Sequence, residues 1–580
     1  MQDPQTQFRS AFSDAIVAAF GDQYADADPL IQSSRNPEFG DYQANVAMSL
    51  AKKVGDNPRN VAAKIVENLD LGDWGLKLQI AGPGFINIHL KLSYLVSQLA
   101  QVAADANLGL EQIGKDQKVV IDYSGPNVAK EMHVGHLRSS VIGDSLARVM
   151  DFLGYQVIRQ NHLGDWGTQF GMLIENLIDE GTDASTHIAD LKTFYQGAKQ
   201  RFDDEPEFAD RARKRVVALQ SGDQQTLKLW GTLIEESKLH FNHVYKLLGV
   251  QLTDDDIRAE SFYNDQLPGV IQALEDAGQL QESQGAKVVY PQGFKDAEGN
   301  PFPMIVLKSD GGFLYATTDL AALRYRINEL KANRIVYVTD SRQTQHFAMI
   351  FKTFEQSNWI PQGVKLDHVA FGTVLGNDRK PFKTRSGDTV KLIDLMDEAV
   401  VRALNAIVQK SDDLSEDQQK NIAQVVGMGS LKYADLSSDR IKDYVFDWDR
   451  MLSLEGNTAP YLINAYVRIQ SIFRKGEIDP ANVDATAIQL GEDAEKSLAL
   501  KLLQFSSAVR AVESSLEPHR LCTYLYELAS SYHRFYEKCP VLKGDVPPEV
   551  RDSRLALSAL VARTLKTGLN LLGIDVVERM

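Results

Sequence analysis

The sequence has very few cysteines and no long apolar run. Cys522 and Cys539 are the only two cysteines, and neither has the Cys-x-x-Cys spacing of a metal or redox site. This scarcity argues against a disulfide framework and a structural zinc site, and it indicates a reducing compartment. No apolar run approaches the roughly 18 residues that span a bilayer, and the N-terminus lacks the basic start and apolar stretch of a signal peptide. We therefore expect a cytoplasmic protein with no membrane partner.

An excess of positive charge is also missing. The chain has 78 acidic and 62 basic residues and a net charge of −16, which argues against nucleic acid as a partner because phosphates are bound by Lys and Arg. A large acidic protein can nevertheless carry a local basic face. The cluster Arg211-Ala-Arg213-Lys214-Arg215 is either such a face or an ordinary solvated helix surface. The charge balance leaves the partner undecided.

Length and hydrophobic pattern together predict several domains, because 580 residues are too many for one core. The predicted fold class is α/β and multidomain: a Rossmann-like parallel-sheet catalytic domain with a helical insertion, a small N-terminal α/β domain and a C-terminal all-α helical bundle. The predicted limits are 1–110 for the N-terminal domain, 115–390 for the sheet domain with its insertion at about 172–305, 391–450 for a helical connector, and 451–580 for the bundle. Inside the N-terminal domain, the pattern predicts helices over 8–20 and 42–53 and strands over 76–80 and 85–90.

The strongest chemical signal lies in the turn after the first buried strand of the sheet domain. There, His133-Val-Gly-His136 precedes a long predicted helix, and its two imidazoles share one face of a helical turn because they are three residues apart. At a helix N-terminus they face an anion together with free backbone N–H groups, and Gly135 allows a base or phosphate to approach closely. Such donors suit an ATP whose α-phosphate gathers negative charge during attack by a carboxylate. Two satisfied histidines in a tight turn, or a metal pair, are the structural alternatives.

The segment PNVAKEMHVGHLRS resembles the HIGH signature of class I aminoacyl-tRNA synthetases in its arginyl-tRNA synthetase form. The resemblance extends over nearly the whole chain and includes NHLGDWGTQF at 161–170, LYATTDLA at 314–321, RQTQH at 342–346 and the closing helices. It implies an enzyme that activates L-arginine with ATP as arginyl-adenylate and then charges tRNA(Arg), releasing pyrophosphate and AMP, for protein synthesis. It also implies a monomer, Mg²⁺ on the ATP phosphates without a dedicated protein site, and activation of arginine only after tRNA has bound.

The resemblance further implies which residues contact the triphosphate and the transition state: Lys130, His133, Gly135, His136, Lys383 and Arg385. The lysine-rich KMSKS loop of the class corresponds here to KPFKTRSG at 380–387, in which Thr384 stands in place of the second lysine if Gly387 marks the register. Lys130, just before the HIGH motif, is the residue that compensates in this family. Any cation that reaches the β and γ phosphates can offset their charge. An exposed basic loop without a catalytic task is the alternative for Lys383 and Arg385.

The resemblance places six residues around the amino acid: Ser124, Asn127, His162, Tyr315, Asp319 and Gln343. A guanidinium in a water-poor pocket needs a carboxylate and a planar or polar neighbour. Asp319 and Tyr315 are four residues apart at the start of a predicted helix and therefore share a face. By resemblance these two hold the arginine side chain with Gln343, and the other three lie around the α-amino and carboxylate groups. The alternative for Asp319 is that it merely caps the helix.

Two further regions resemble the tRNA-binding parts of the family. The N-terminal domain resembles the one applied to the corner of the tRNA, where Phe39 and Tyr42 would stack on a loop nucleotide or else fill the small core. The C-terminal helices resemble an anticodon-binding bundle. There, Tyr461 and Arg468 would contact unpaired bases, or else be a core aromatic and a solvated arginine.

Three other functions stay open at this point. A class I synthetase for glutamine, glutamate or cysteine is one, although an acidic pocket disfavours an anionic amino acid and the lack of a Cys/His zinc set disfavours cysteine. A small-molecule nucleotidyltransferase also uses His-x-Gly-His, but it has no need of the extra N-terminal domain and the long helical C-terminus. A catalytically silent tRNA-binding protein fits the irregular lysine loop but not the intact histidine pair.

Overall fold

The computed structural model describes residues 4–34, 37–74, 77–167, 169–181, 191–382, 390–409, 414–544 and 546–580. The N-terminal region forms an antiparallel four-stranded sheet covered by helices. Its elements are α1 (Pro4–Phe20), β1 (Ile31–Ser33), β2 (Tyr42–Ala44), α2 (Val46–Val54), α3 (Pro58–Glu67), β3 (Lys77–Ala81), β4 (Phe85–His89) and α4 (Leu92–Ala104). The strands lie in the order β1-β2-β4-β3.

The two strands predicted late in the N-terminal region are confirmed as β3 and β4, which pair antiparallel. The helix predicted over 42–53 is wrong at its start. Tyr42 to Ala44 pair with β4 as strand β2, and the helix begins only at Val46. Tyr42 and Ala44 are both buried, with Gln43 between them less so, so the alternation that made the segment a strand is visible only once its partner is known.

The central region is built around a parallel sheet. Its first part consists of β5 (Lys118–Asp122), α5 (Val134–Phe152), β6 (Gln156–Gln160), α6 (Gln169–Asp179), α7 (Leu191–Asp204), α8 (Pro206–Gln220), α9 (Gln224–Leu248) and α10 (Leu267–Asp276). Its second part consists of β7 (Gln281–Ser283), β8 (Ala286–Val289), β9 (Met304–Leu307), α11 (Tyr315–Asn328), β10 (Arg334–Asp340), α12 (Thr344–Gln356), β11 (Lys365–Phe371) and β12 (Val374–Leu375). The helices α6 to α10 and the small antiparallel sheet β7-β8-β9 interrupt the parallel sheet, as the predicted insertion requires.

The parallel sheet has the order β11-β10-β5-β6, with every neighbouring pair parallel. The chain leaves β5 towards β6 on one side and returns through β10 to β11 on the other. The carboxyl ends of β5 and β10 therefore flank the point where the strand order reverses, which is where parallel α/β sheets bind their ligands. Val120 packs into a core with α11 and α12, whereas Val119 and Ile121 face the larger core on the opposite side.

The C-terminal region is helical apart from one short strand. Its elements are α13 (Leu392–Val408), α14 (Glu416–Leu436), β13 (Tyr444–Val445), α15 (Trp448–Met451), α16 (Ala459–Lys475), α17 (Asp493–Leu503), α18 (Phe505–Ser515), α19 (His519–Lys538) and α20 (Pro548–Leu571). These helices share one continuous hydrophobic core with the N-terminal region and with one face of the parallel sheet. Within the described ranges, no helix combines the length and the apolar character needed to cross a membrane.

The basic cluster on α8 is largely matched by carboxylates inside the chain. Arg211 and Arg215 both pair with Glu175 of α6, at 3.2 Å and 2.7 Å, and Lys214 pairs with Asp210 at 2.7 Å. The two arginine pairs join α8 to α6, and the lysine pair lies within α8. Together they oppose the charge of three of the four cationic side chains in the cluster. The interpretation of this cluster as an ordinary helix surface is therefore favoured over a basic face for nucleic acid.

Candidate active site

The two histidines of the His-x-Gly-His motif lie together at the N-terminus of α5, after the loop that follows β5. Their ring centroids are 4.0 Å apart. His133 is the N-cap residue, and its Nδ1 accepts a hydrogen bond from the backbone N–H of Gly135 at 3.1 Å. His136 reciprocates, because its Nδ1 accepts from the backbone N–H of His133 at 3.0 Å. This reciprocal capping fixes both rings against the helix start.

The bonds at Nδ1 also determine where the ring protons lie. An Nδ1 that accepts a hydrogen bond carries no proton, so in a neutral ring the proton is on Nε2. Burial, followed by the neighbouring charges of His133 and Lys130, lowers the pKa of His136 to about 3. Partial burial and the cations of Arg342 and Lys130 lower the pKa of His133 as well. Both histidines therefore present an Nε2–H donor while staying neutral.

Gly135 is required by the histidine arrangement itself. A Cβ atom at this position would lie 2.8 Å from Cε1 of His133 and 3.0 Å from its Nδ1, closer than real Cβ contacts come. Any side chain here would displace the imidazole from its capping position. The ring of His133 lies against Gly135. Glycine is therefore needed here for a second reason, besides the close approach of a base or phosphate that the sequence suggests.

Cations surround the histidine pair. The ammonium group of Lys130 lies 4.8 Å from the centre of the Tyr195 ring on α7, and its charge acts on both imidazoles. Arg342, which follows β10, pairs with Asp340 and is highly exposed. Arg342 begins the segment RQTQH, which resembles the family, although the resemblance implies no role for this arginine. Its charge acts on His133, so it belongs to the same end of the crevice.

Lys383 and Arg385 lie outside the described residues, as does the rest of 383–389. The chain that follows them is held against the histidine turn. The backbone N–H of Val134 donates to the carbonyl of Val390 at 3.3 Å, and Leu392 donates to the carbonyl of Met132 at 2.9 Å. Lys391 forms an ion pair with Glu131 at 2.8 Å. Residues 390–392 and 132–134 thus form a short antiparallel contact beside the signature.

The residues predicted to hold a guanidinium meet at the start of α11. Asp319 accepts a hydrogen bond from Nε2 of His346 at 2.6 Å, and the ring of Tyr315 lies 4.9 Å from the ring of His346. Leu314 is the N-cap of α11, and no side chain caps this helix end, so the alternative in which Asp319 is a cap is wrong. Gln343 is exposed at the N-terminus of α12, after the carboxyl end of β10.

One further carboxyl group, that of Glu260, lies near this aspartate, and Asp165 lies near Glu260 in turn. The charges of Asp165 and Asp319, together with burial as the largest cause, raise the pKa of Glu260 to about 7. Burial likewise raises the pKa of Asp165, which accepts two hydrogen bonds from Ser261. Sequence reasoning missed Glu260 and His346. No motif surrounds Glu260, and Asp319 and His346 meet only through the packing of α11 against α12.

Ser124, Asn127 and His162 follow the carboxyl ends of β5 and β6. Ser124 is buried and has a left-handed backbone with φ of 73°. Asn127 is exposed, and its Oδ1 lies only 2.2 Å from where a Cβ at Gly164 would be, so glycine is needed there for the two loops to touch. His162 has a buried Nδ1 with no hydrogen-bond partner in the described part of the chain. These positions put the three residues at the same edge of the sheet as the histidine pair.

The two N-terminal candidates for tRNA contact differ in exposure. Phe39 has 48% of its surface exposed, whereas Tyr42 has 1%. The Tyr42 ring packs 5.4 Å from the ring of Phe8. Tyr42 therefore fills the core, the second of the two options given by the sequence, and its ring faces are closed to a nucleotide. Phe39 retains an accessible face.

The C-terminal candidates lie on α16. The hydroxyl of Tyr461 contacts Nδ1 of His533 at 3.0 Å, and its ring packs against Tyr526 at 5.5 Å. Arg468 is exposed, lies 5.8 Å from the centre of the Tyr536 ring, and lines a cavity of about 1140 Å³. Four other cationic side chains line that cavity: Arg474, Lys475, Lys543 and Arg579. The arrangement of an aromatic ring among cations suits an unpaired base with its phosphates.

Comparison with known proteins agrees with this architecture. Three family models match the chain: "Arginyl tRNA synthetase N terminal domain" over residues 6–90, "tRNA synthetases class I (R), catalytic domain" over 98–448, and "DALR anticodon binding domain" over 462–580. A protein of Cellvibrio japonicus named arginine–tRNA ligase is 55% identical over 96% of both chains.

Other relatives cover the full length. A Synechococcus protein named arginine–tRNA ligase is 50% identical over 100% of both chains. The crystal structure of arginyl-tRNA synthetase from Plasmodium falciparum superposes with a TM-score of 0.85 at 31% identity and covers 100% of both chains. With the catalytic-domain model matching more than half of its length and these relatives matching nearly all of it, the chain belongs to the arginyl-tRNA synthetase family of class I.

Proposed function

We propose that this protein is an arginine–tRNA ligase. It activates L-arginine with ATP and then attaches the arginine to tRNA(Arg) for protein synthesis. The observation that carries the proposal is the arrangement at the carboxyl ends of β5 and β10. Two neutral imidazoles with Nε2–H donors lie at a helix N-terminus, at the same edge as a pocket with several carboxylates. The imidazoles suit the phosphates of ATP, and the carboxylates suit a guanidinium.

In the first step, a carboxylate oxygen of arginine attacks the α-phosphorus of ATP, and the bond to pyrophosphate breaks. Charge on the α-phosphate oxygens is met by Nε2–H of His133 and His136 and by the start of α5. Gly135 leaves room for the nucleotide. Lys130 opposes the charge of the departing pyrophosphate, and we assign Lys383 and Arg385, outside the described residues, to the same task. All of these groups stabilise charge without forming a bond to the substrate.

The arginine side chain is held by Asp319 and Tyr315, with Gln343 at the neighbouring strand end. His346 orients the Asp319 carboxylate by donating Nε2–H to it. We add Glu260 to this pocket, because the charge of Asp319 acts on its carboxyl group. The group is partly buried, and a bound cation would compensate its negative charge.

We assign Ser124, Asn127 and His162 to the α-amino and carboxylate groups of arginine. His162 fits this role because its buried Nδ1 has no partner among the described residues. A substrate group would satisfy that nitrogen, which otherwise stays costly to bury.

In the second step, the hydroxyl of the terminal adenosine of tRNA attacks the mixed anhydride and AMP leaves. We propose that residues 1–110 meet the corner of the tRNA through Phe39 and that 115–390 carry out catalysis. In this proposal 391–450 connect the catalytic domain to the anticodon-binding bundle at 451–580. Within the bundle, Arg468 and the cavity it lines are the candidate contacts for unpaired bases, while Tyr461 supports α16 through His533.

We further propose that the enzyme works as a monomer in the cytoplasm and that Mg²⁺ accompanies the phosphates of ATP. Among the described residues, no group of three or more His, Cys, Asp or Glu side chains could hold a metal ion. The proposal for Mg²⁺ therefore rests on the chemistry of the triphosphate and not on a protein site. Light scattering tests the monomer: a mass of one chain is expected, and a mass of two chains contradicts it.

The experiment for the proposed function is charging of total tRNA with each of the twenty amino acids in turn, with ATP and Mg²⁺ present. We expect arginine alone to be attached. Attachment of a different amino acid would keep the ATP chemistry but overturn Asp319 as the guanidinium partner. If no amino acid is attached, the chain is a tRNA-binding protein without catalysis.

A further inference from the structure

A helix of the insertion is bonded directly to the substrate loops. Helix α9 comes about a hundred residues after the signature turn in the chain, yet three of its side chains reach the loops that follow β5 and β6. Trp230 donates its Nε1–H to the carbonyl of Asp165 at 2.8 Å. Tyr245 and Ser237 bond to the loop between β5 and α5. None of these contacts is visible in the local sequence around the signature.

The contact made by Tyr245 closes a ring of hydrogen bonds around the start of the loop. Asn161 donates its Nδ2–H to the Tyr245 hydroxyl at 3.0 Å, and that hydroxyl shares a hydrogen bond with Oγ of Ser124 at 2.8 Å, in which either oxygen can be the donor. The Oδ1 of Asn161 accepts from the backbone N–H of Gly125 at 3.0 Å. Ser124 has φ of 73°, a left-handed conformation that a serine keeps only when its surroundings hold it. The ring supplies part of that hold, and α5 supplies the rest, since Oγ of Ser139 accepts from the Ser124 N–H at 2.8 Å and Oγ of Ser140 lies 3.0 Å from Oγ of Ser124.

The contact made by Ser237 holds the other end of the same loop. Its Oγ accepts a hydrogen bond from the backbone N–H of Ala129 at 2.9 Å and donates to the carbonyl of Leu233 at 2.7 Å. Ala129 is fully buried and also left-handed, with φ of 61°. Lys130 is the next residue. Ser237 is fully buried as well, so the Ala129 N–H would lose its acceptor without it.

The two anchors lie roughly two turns apart along α9, on the side that faces the loop. Tyr245 bonds to Ser124 and Ser237 bonds to Ala129, and both of these loop residues are left-handed. Lys130 follows Ala129 directly, so the two anchors lie at the two ends of the segment from Ser124 to Lys130. Helix α9 therefore holds this segment at two points. A shift of either point moves a different part of the segment.

We propose that Tyr245 and Ser237 are positioning residues for the two substrates. Tyr245 sets the Ser124 end, which faces the arginine, and Ser237 sets the Lys130 end, which faces the phosphates of ATP. This inference rests on the proposed function, because it uses the assignment of the loop ends to arginine and ATP. It goes beyond that function by giving the insertion helix a separate task for each substrate.

The test compares Tyr245→Phe, Ser237→Ala and, as a matched control, Leu239→Ala at an exposed position of the same helix. Each of the two test changes removes one hydroxyl and leaves the carbon skeleton in place. KM and kcat are measured for arginine and for ATP during charging of tRNA. We expect Tyr245→Phe to raise the KM for arginine about tenfold with the KM for ATP within about twofold, since one lost hydrogen bond at a site is worth roughly this factor. Ser237→Ala should show the reverse pattern.

A general loss of structure would move both KM values together or lower only the amount of active enzyme. Each variant is therefore assayed at a temperature where its circular dichroism matches that of the unchanged protein. Equal effects of both variants on both substrates, or no difference from Leu239→Ala, would overturn the inference while leaving the proposed function intact. Failure of the unchanged protein to charge arginine would overturn the proposed function, and the inference with it.

Discussion

His133 and His136 act as hydrogen-bond donors without becoming cations. Their Nδ1 atoms are occupied by backbone N–H groups of the same turn, so the remaining donors are the two Nε2–H groups. The lowered pKa values follow from burial and from nearby cations. In the proposed function, such neutral donors would bind the phosphates of ATP without a change in protonation near pH 7.

The first prediction concerns the protonation of His136. Because its pKa is lowered to about 3, its ring should stay neutral and protonated at Nε2 between pH 5.5 and pH 8. Nitrogen NMR of the protein labelled at histidine, assigned by comparison with His136→Gln, measures this directly. A titration midpoint close to the ordinary histidine value of about 6.5 would contradict the account.

Glu260 gives a second prediction at the residue scale. Burial, followed by the charges of Asp165 and Asp319, raises its pKa to about 7, and its neutral form has no charge to offer a guanidinium. Since the carboxylate forms as pH rises through that value, the affinity for arginine should rise with pH and fall as pH drops below about 7. The KM for arginine is therefore expected to increase several-fold from pH 8 to pH 6.

In Glu260→Gln the same measurement should give a raised KM at pH 8 and a flatter profile below it. The control is Glu282→Gln, a change at an exposed position on β7, which should leave both the KM and its pH dependence unchanged. If the profile of Glu260→Gln matches that of the unchanged protein, Glu260 has no part in the pocket.

At the scale of elements, one buried ion pair joins α5 to α14. Helix α5 begins at the histidine motif and is called the signature helix below, and α14 lies in the predicted connector. Arg138 of α5 and Asp435 of α14 are 3.1 Å apart, and their side chains are 1% and 0% exposed. Arg138 also donates to the carbonyl of Lys442 at 3.2 Å and lies over the rings of Phe371 and Tyr444. The helix that carries the histidines is thus bonded to the helix that leads towards the bundle.

The third prediction is a double-mutant cycle on this pair. Asp435→Leu alone leaves a buried guanidinium without its partner and should lower the free energy of unfolding by about 3–5 kcal/mol. The double change Arg138→Met with Asp435→Leu should recover most of that loss, because two apolar side chains need no partner. Urea unfolding is measured for Arg138→Met, for Asp435→Leu and for the double variant, each against the unchanged protein. Additive losses in the double variant would show that the two residues are not coupled.

The sequence allowed the elements of the sheet and the histidine pair to be predicted, because these depend on local pattern. The apolar run before Asp122 and the turn after it define β5, and the three-residue spacing of the histidines determines that their rings meet. What escaped prediction depends on partners far along the chain. Tyr42 was placed in a helix because the pairing of β2 with β4 is not local, and Glu260 was missed because only the fold brings it near Asp319.

At the scale of the whole molecule, the last residues of the chain return to the signature helix. Ser145 of α5 donates to the carbonyl of Leu571 at 3.1 Å, and Lys432 of α14 donates to the carbonyl of Gly573. The end of the bundle, the connector and the signature helix therefore meet at one junction. A tRNA that bound the bundle would therefore contact elements that are joined to α5.

This junction supports the fourth prediction, that arginine activation depends on bound tRNA. Exchange of pyrophosphate into ATP, driven by arginine, should be undetectable without tRNA and should appear when tRNA(Arg) is added. Periodate-oxidised tRNA is the control, since it binds but cannot accept arginine. Equal exchange with and without tRNA would contradict the prediction.

We propose that carboxylates at the start of α11 and near it select arginine by the charge of its guanidinium. The most direct measurement compares kcat/KM for arginine with that for citrulline, which has nearly the same shape and no charge, in the unchanged protein and in Asp319→Asn. A site built for a charged, hydrogen-bonded group should prefer arginine by about 10⁴, and Asp319→Asn should reduce that preference by about 10² or more. A preference below about tenfold in the unchanged protein, or one that Asp319→Asn leaves intact, would contradict the account.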